Sequence, residues 1–403
     1  MDWSFLIKNK SSLNVTTDSR KVTSGSIFVA LKGEHFDGND FVEQAKVQGA
    51  EYVICGENAL RDLQDLARAW RRELGLPILA ITGTNGKTTT KELCAAVLKT
   101  KYNIYYTQGN LNNSLGVPLT LLNITRAHEM AIVEMGASHP GDIKELVDIA
   151  EPNYGLVTNV GKAHLQGFGS FEGVMRTKAE LYDYIVQHGG TIFINEDNPY
   201  LKQMLEDLGG IENIGSLVEY HTGTMPEGTH LVGNYNAENV SAALRVGLYF
   251  GVAEPRALAA IRAYIPSNNR SQLMQTEKNT LVIDAYNANP TSMQAAINAF
   301  DHSTFNIQHS TANMPKAYLL GAMRELGEYS ALEHQNIVNM LLERKADKVL
   351  LVGEEYTETT APYPIFRDVE ALCEHLKQEP LSGYTILLKG SRSNQLEKVI
   401  PLL

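Results

Sequence analysis

The segment Ile81-Thr82-Gly83-Thr84-Asn85-Gly86-Lys87-Thr88-Thr89-Thr90 sets two glycines, a lysine and a row of hydroxyls between an apolar run, Pro77–Ala80, and a helix-forming run, Lys91–Leu98. Residues of these types in this order make a phosphate cradle. The glycines let backbone N–H groups turn toward an anion, the lysine adds a point charge, and a threonine hydroxyl can hold Mg²⁺. The chemistry is then that of a nucleoside triphosphate. The string is short, since only Thr84 and Asn85 separate Gly83 from Gly86-Lys87. Taken alone, it also fits a plain strand-to-helix turn.

Other polar groups sit where strands should end. Glu134 closes the apolar run Met130–Glu134, and ligands of parallel α/β sheets gather at the carboxyl ends of strands. Glu134 is thus a candidate Mg²⁺ ligand, or a carboxylate left in water. Asn159-Val160-Gly161-Lys162-Ala163-His164 follows another strand; His164 is a metal-ligand candidate or a hydrogen-bonded structural histidine. Arg176-Thr177-Lys178-Ala179-Glu180 reads as the solvated face of a helix. Asp284-Ala285-Tyr286-Asn287-Ala288-Asn289-Pro290 is a candidate ligand crevice or a turn. The turn Lys389-Gly390-Ser391-Arg392-Ser393 could hold a carboxylate or phosphate, or be simply solvated.

The elements that must position these groups alternate strand and helix. In the middle of the chain, strands are expected at Ile78–Thr82, Met130–Glu134, Gly155–Val160 and Thr191–Asn195, with helices at Thr89–Leu98, Gly141–Ala150 and Phe171–Val186. The last part expects strands at Thr280–Asp284, Ala317–Gly321, Lys348–Val352 and Thr385–Lys389. Such alternation predicts an α/β protein with parallel sheets. A helix stop at Gly75 with Pro77 beyond, and a turn cluster at Pro266-Ser267-Asn268-Asn269, divide 403 residues into three domains. These are a small N-terminal α/β domain at 1–75, a central P-loop-type domain at 76–266 and a Rossmann-like domain at 267–403. A net charge of −11 argues against a general nucleic-acid binder. Three scattered cysteines give no disulfide framework or metal spacing and suit a reducing cytoplasm. No apolar run is long enough for a membrane span, and the N-terminus lacks a signal-peptide pattern.

Together with Thr17-Asp18-Ser19-Arg20 and Gly109-Asn110-Leu111-Asn112-Asn113-Ser114-Leu115-Gly116-Val117-Pro118, these segments resemble the Mur ligases, the ATP-dependent amide-forming enzymes of peptidoglycan precursor synthesis. The likeness runs almost end to end, and the short phosphate loop is the form that family uses. It implies a three-domain fold and an ATP site of Gly83, Thr84, Asn85, Gly86, Lys87, Thr88 and Thr89. Asn239 would approach the adenine, Arg270 and Asp284 the phosphates and ribose, and Tyr286 and Asn287 would line the cleft. It implies two Mg²⁺ ions, the first held by Thr88 and Glu134 and the second by His164, with Lys178 where several members carry a carbamylated lysine. Ser19, Arg20 and the Glu34-His35-Phe36 turn would hold a UDP-sugar. Asn112, Asn113 and Ser138 would lie near the growing peptide, and Lys389, Ser391 and Arg392 would help place peptide or dipeptide.

Within the family the likeness is to members that join D-alanyl-D-alanine to UDP-N-acetylmuramoyl-tripeptide, and a cytoplasmic monomer is expected. Alternatives are a ligase adding the third amino acid to the UDP-linked dipeptide, a folate polyglutamate ligase, and a nucleotide-binding paralogue without turnover. The chain departs from the family pattern in short segments near 55–60 and 218–231. It also departs at Ala322, where an aspartate is common, which puts one polar contact of the last domain in question.

Overall fold

The computed structural model describes residues 2–209, 216–266, 269–302, 314–344 and 346–403. Ser267 and Asn268, on which the second expected boundary falls, lie outside them. Three sheets organise the chain. The first is a parallel sheet of β1 (Val15–Thr16), β2 (Ile27–Val29) and β3 (Tyr52–Ile54), in that order.

The second sheet contains β4 (Ile78–Thr82), β5 (Ile104–Tyr106), β6 (Met130–Glu134), β7 (Tyr154–Val157), β8 (Thr191–Asn195) and β9 (Ser216–Tyr220). Its order is β5-β6-β4-β7-β8-β9, and all its pairs are parallel. β4 is buried along its whole length, as expected of a strand covered on both faces. It lies between β6 and β7: the chain runs from β4 to β5 on one side and from β6 back across it to β7 on the other, so the connections of the neighbours β4 and β6 diverge. That switch point opens the crevice at its carboxyl end, where Gly83–Lys87 begin.

The third sheet contains β10 (Gln272–Gln275), β11 (Thr280–Asp284), β12 (Lys316–Gly321), β13 (Lys348–Val352), β14 (Ile365–Phe366) and β15 (Thr385–Lys389). Its order is β10-β11-β15-β12-β13-β14, with only the edge pair β10–β11 antiparallel. Asp284 and Lys389, 105 residues apart, become register partners at the ends of β11 and β15.

Most expected strands occur close to where the pattern placed them. The short edge strands β5, β9, β10 and β14 were not anticipated, since two to five residues carry little periodicity. The expected strand Gly155–Val160 ends at Val157; Thr158–Gly161 instead turn to hold the phosphate loop. The helix expected from Thr89 starts at Lys87, putting Lys87 and Thr88 in its first turn.

The helix Ala59–Leu74, expected over Leu60–Leu74 ahead of the first boundary, packs on both the first and the second units. Trp70 is fully buried and its Nε1 donates to Ile124 O at 2.8 Å. Arg68 donates to Asp148 O at 2.8 Å, and Arg71 donates to Ala150 O at 3.1 Å and Glu151 O at 2.8 Å, satisfying open carbonyls at the end of helix Asp142–Ala150. Gly75 stops the helix in a left-handed conformation, φ 64°.

Candidate active site

The phosphate loop is shaped by contacts that exclude side chains. At Gly83, φ 142°, a Cβ would stand 2.0 Å from Thr158 Oγ1; at Gly86, φ 78°, it would stand 2.3 Å from Asn239 Oδ1. Only glycine fits both positions. The loop is pinned from the side: Thr84 N donates to Asn159 O at 2.9 Å, Asn85 N to Asn159 Oδ1 at 3.0 Å, and Thr158 Oγ1 to Asn85 O at 2.6 Å. Lys87 Nζ folds back to donate to Gly83 O at 2.6 Å and Thr84 O at 3.0 Å. Burial lowers its pKa to about 8, with Glu134 opposing and Arg270 adding to the shift.

Glu134, 2% exposed, is the best-held carboxylate of the site. Its Oε1 accepts from Thr88 Oγ1 at 3.2 Å and Asn112 Nδ2 at 2.9 Å. Its Oε2 is buried and accepts no hydrogen bond, while Lys91 Nζ lies 3.5 Å away. A buried, unbonded carboxylate oxygen beside a threonine hydroxyl suits one Mg²⁺. Among the described residues no three His, Cys, Asp or Glu side chains gather as a protein-only cage. That is compatible with Mg²⁺ at a nucleotide site, where phosphates and water supply most ligands.

His164 adopts a left-handed backbone, φ 50°, and its Nδ1 contacts Glu325 of the third sheet's unit. Burial lowers its pKa, against the pull of Glu325. Lys178 overturns the solvated-face reading of Arg176–Glu180. It is 2% exposed, with Nζ 5.7 Å from the Phe168 ring centre. Burial first and the Lys87 charge second push its pKa well below that of an ordinary lysine.

Lys87, Glu134 and His164 line one cleft of about 950 Å³ between the second and third sheets' units, and Lys178 is not on its wall. The cleft brings together Thr84–Thr89, Asn112, Asn113, Glu134, Ser138, His164, Asn239, Arg270, Asp284, Tyr286, Asn287, Lys389 and Arg392. Several have partners that refine the expectation. Asn113 Oδ1 accepts from Gly116 N at 2.8 Å and so caps the next helix, while Asn112 orients Glu134. Asn239 is buried and accepts from Thr90 Oγ1 at 3.0 Å. Lys389 is buried against Asp284 Oδ2 at 2.8 Å and Asn287 O at 2.8 Å, so its charge is spent inside the third unit. Arg270 and Arg392 both approach the Tyr286 ring, at 3.7 Å and 5.5 Å from its centre.

Ser391 is buried and absent from the cleft wall. Ser19, Arg20, Glu34, His35 and Phe36 lie outside the cleft, on the first sheet's unit. Asp18 holds Arg20 through its Nε at 2.8 Å, and Phe36 is 63% exposed on the turn between Lys32 and Asp37. Ala322 is fully buried; its N–H donates to Val352 O at 2.8 Å and its carbonyl accepts from Asn394 Nδ2 at 2.7 Å, so only the backbone is polar there.

Four groups make long-range contacts that the sequence did not mark, and of them only Asn289 lay in a run read as a candidate crevice. Glu325 meets His164, Glu333 meets Lys162 Nζ at 2.7 Å, Thr291 Oγ1 accepts from Lys162 N at 3.0 Å, and Asn289 Nδ2 donates to Asn85 Oδ1 at 2.8 Å. Each joins residues more than 120 positions apart, and no local pattern marks such pairs.

The fold is that of the Mur ligase family, and the chain belongs to it. Family models match as the Mur ligase family catalytic domain at residues 13–95, the Mur ligase middle domain at 81–214 and the Mur ligase glutamate ligase domain at 269–392. The chain is 32% identical to the UDP-N-acetylmuramoyl-tripeptide--D-alanyl-D-alanine ligase of Bacillus subtilis (strain 168), over 96% of the chain and 92% of the relative. It is also 32% identical to the ligase of that name from Escherichia coli (strain K12), over 96% and 93%. Among solved structures, MurF ligase from Thermotoga maritima in complex with ADP superposes with a TM-score of 0.82 at 26% identity, covering 98% of each chain. MurF from Acinetobacter baumannii gives 0.81 at 27% identity, over 96% and 92%.

Proposed function

We propose that this protein is an ATP-dependent ligase that joins D-alanyl-D-alanine to UDP-N-acetylmuramoyl-tripeptide, a cytoplasmic step of peptidoglycan precursor synthesis. The observation that carries the reading is the cleft in which the phosphate loop, Glu134 with its open oxygen, and His164 face the third unit across a polar seam. The end-to-end likeness to ligases with that printed name supplies the substrates.

A carboxylate is a poor acyl donor, because an oxide would have to leave. Phosphoryl transfer from ATP to the tripeptide carboxylate makes an acyl phosphate, which the dipeptide amine then attacks with loss of phosphate. Lys87 and the loop N–H groups would hold the transferring phosphate, with Arg270 approaching from the third unit. Thr88 and Glu134 would hold Mg²⁺, which offsets phosphate charge during the transfer. Closing the third unit over the cleft would keep water from the acyl phosphate. The exposed turns at Ser19 and Phe36 would take the UDP-sugar end.

Lys178 fits a carbamate. Its surroundings favour the neutral amine, the form that adds CO₂ to give a carboxylate-like anion and a proton. That anion would sit beside His164 and the second metal. Labelled bicarbonate should give a carbamate carbon signal in the wild type that is lost in Lys178→Ala. A spectrum without that signal would leave Lys178 as a bare amine.

The overall reading is tested by phosphate release from ATP with UDP-N-acetylmuramoyl-tripeptide, with and without D-alanyl-D-alanine. Release that depends on the dipeptide is expected. Release indifferent to the dipeptide, or absent, overturns it.

A further inference from the structure

Lys91 is fully buried, one turn after Lys87 on the helix Lys87–Leu98, yet it does not face the phosphate loop. Its Nζ donates to Thr107 O at 2.7 Å and lies 3.5 Å from Glu134 Oε2 and 3.3 Å from Glu92 Oε1. The Tyr106 ring centre is 5.7 Å away. Thr107 ties both partners together, because its carbonyl takes the Lys91 proton bond and its hydroxyl accepts from Glu134 N at 2.9 Å. An entirely buried ammonium is costly unless it is hydrogen-bonded and paired. Here it is both, pairing with Glu92 Oε1 and with the Glu134 oxygen that accepts no hydrogen bond.

The arrangement around Glu134 is therefore three-sided. Thr88 and Asn112 fix Oε1 from the loop and from the peptide side. Lys91 Nζ stands 3.5 Å from Oε2, near enough to hold the carboxylate by charge but without a hydrogen bond that would occupy its lone pair. A metal ligand needs that combination of fixed direction and a free lone pair.

We propose that Lys91 is a positioning residue for the Mg²⁺ site: it holds the Glu134 carboxylate in place so that Oε2 stays available to the ion. Lys91 touches neither nucleotide nor metal and acts through Glu134. The proposal rests on the reading of Glu134 as a Mg²⁺ ligand.

The test measures ADP binding by the full chain as Mg²⁺ is titrated, in the wild type, Lys91→Met, Lys91→Gln and Glu134→Gln, without turnover. The glutamine at 91 can keep the bond to Thr107 O without the charge, so it carries the test where the methionine variant folds poorly. Wild-type binding strengthened by Mg²⁺, with that dependence lost in Glu134→Gln, is the outcome the metal reading requires. Given it, both Lys91 variants should need about tenfold more Mg²⁺ for half-maximal effect, with metal-free ADP affinity unchanged. The apo Tm supplies an independent readout. Lys91→Met should lower it, and adding Glu134→Gln to Lys91→Met should recover part of the loss, because the stranded carboxylate is gone. If Mg²⁺ dependence is normal in the wild type and unchanged or tighter in the Lys91 variants, the Lys91 proposal fails while the metal reading stands. If the wild type ignores Mg²⁺, the metal reading itself fails, and Lys91 with it.

Discussion

The residues of this site differ mainly in where their charge is placed. Lys87 is half-buried over the loop carbonyls and its pKa falls to about 8, with desolvation the leading cause. The sign of the consequence follows. Below about pH 8 the lysine is already charged and ready for an anion. Above it, binding must first take up a proton, which weakens affinity by up to about tenfold per pH unit. ADP affinity should therefore be flat from about pH 6.5 to 8 and decline above, with proton uptake visible when titrations are repeated in buffers of different ionisation heat. A flat profile up to about pH 9.5 would contradict this. Lys87 was legible because glycine spacing marks a phosphate loop. Lys178 was not, because its neighbours Arg176 and Glu180 suggested a solvated face. Yet the helix Phe171–Gln187 buries Val174, Lys178, Leu181 and Ile185, a spacing of four, three and four. A lysine on an apolar stripe was the available signal. Lys91 sits likewise on the stripe that includes Cys94 and Leu98.

Among the elements, the helix Ala59–Leu74 shows how a secondary-structure reading leaves the packing partner open. Its limits were legible from Gly75 and Pro77. Its packing was not, because an amphipathic face does not name the surface it covers. The structure lays that face on the helices Gly116–Leu122 and Asp142–Ala150, through Trp70, Arg68 and Arg71. Trp70→Ala should cost about 3–5 kcal/mol, since a large core side chain is lost and Ile124 O loses its donor. Trp70→Phe should cost less, keeping most of the apolar contact. Urea unfolding of the two variants checks the order; equal and small losses would mean that the helix docks loosely. The paired strand ends were legible in the same partial way. Asp284 and Lys389 could each be read as the end of an apolar run, but only the order β11-β15-β12 makes them neighbours.

Across the whole molecule, the two joints between the three units are of different kinds. One apolar core runs without a break from Trp3, Ile27, Val29 and Ile54 through Leu63 and Trp70 to Ile78, Val117 and Val147. The third unit keeps its own cores, one around Met293, Leu320 and Ile337 and one around Ile283, Leu319 and Leu388. It meets the rest mainly through the polar pairs at Asn85, Lys162 and His164. Its linker bends at Asn269 and Ser271, both left-handed at φ 56° and 46°. The three-domain division was legible, because each domain needs its own run of alternating elements. The inequality of the joints was not, because it depends on which faces meet. The helix of Trp70 then has a consequence for heat. A continuous core melts as one cooperative block, whereas a polar seam lets its two sides melt apart. Scanning calorimetry of the free protein should resolve two transitions, one for the first two units together and one for the third, although three sheets are present. Three separate transitions, or a single one, would show that the joints are alike.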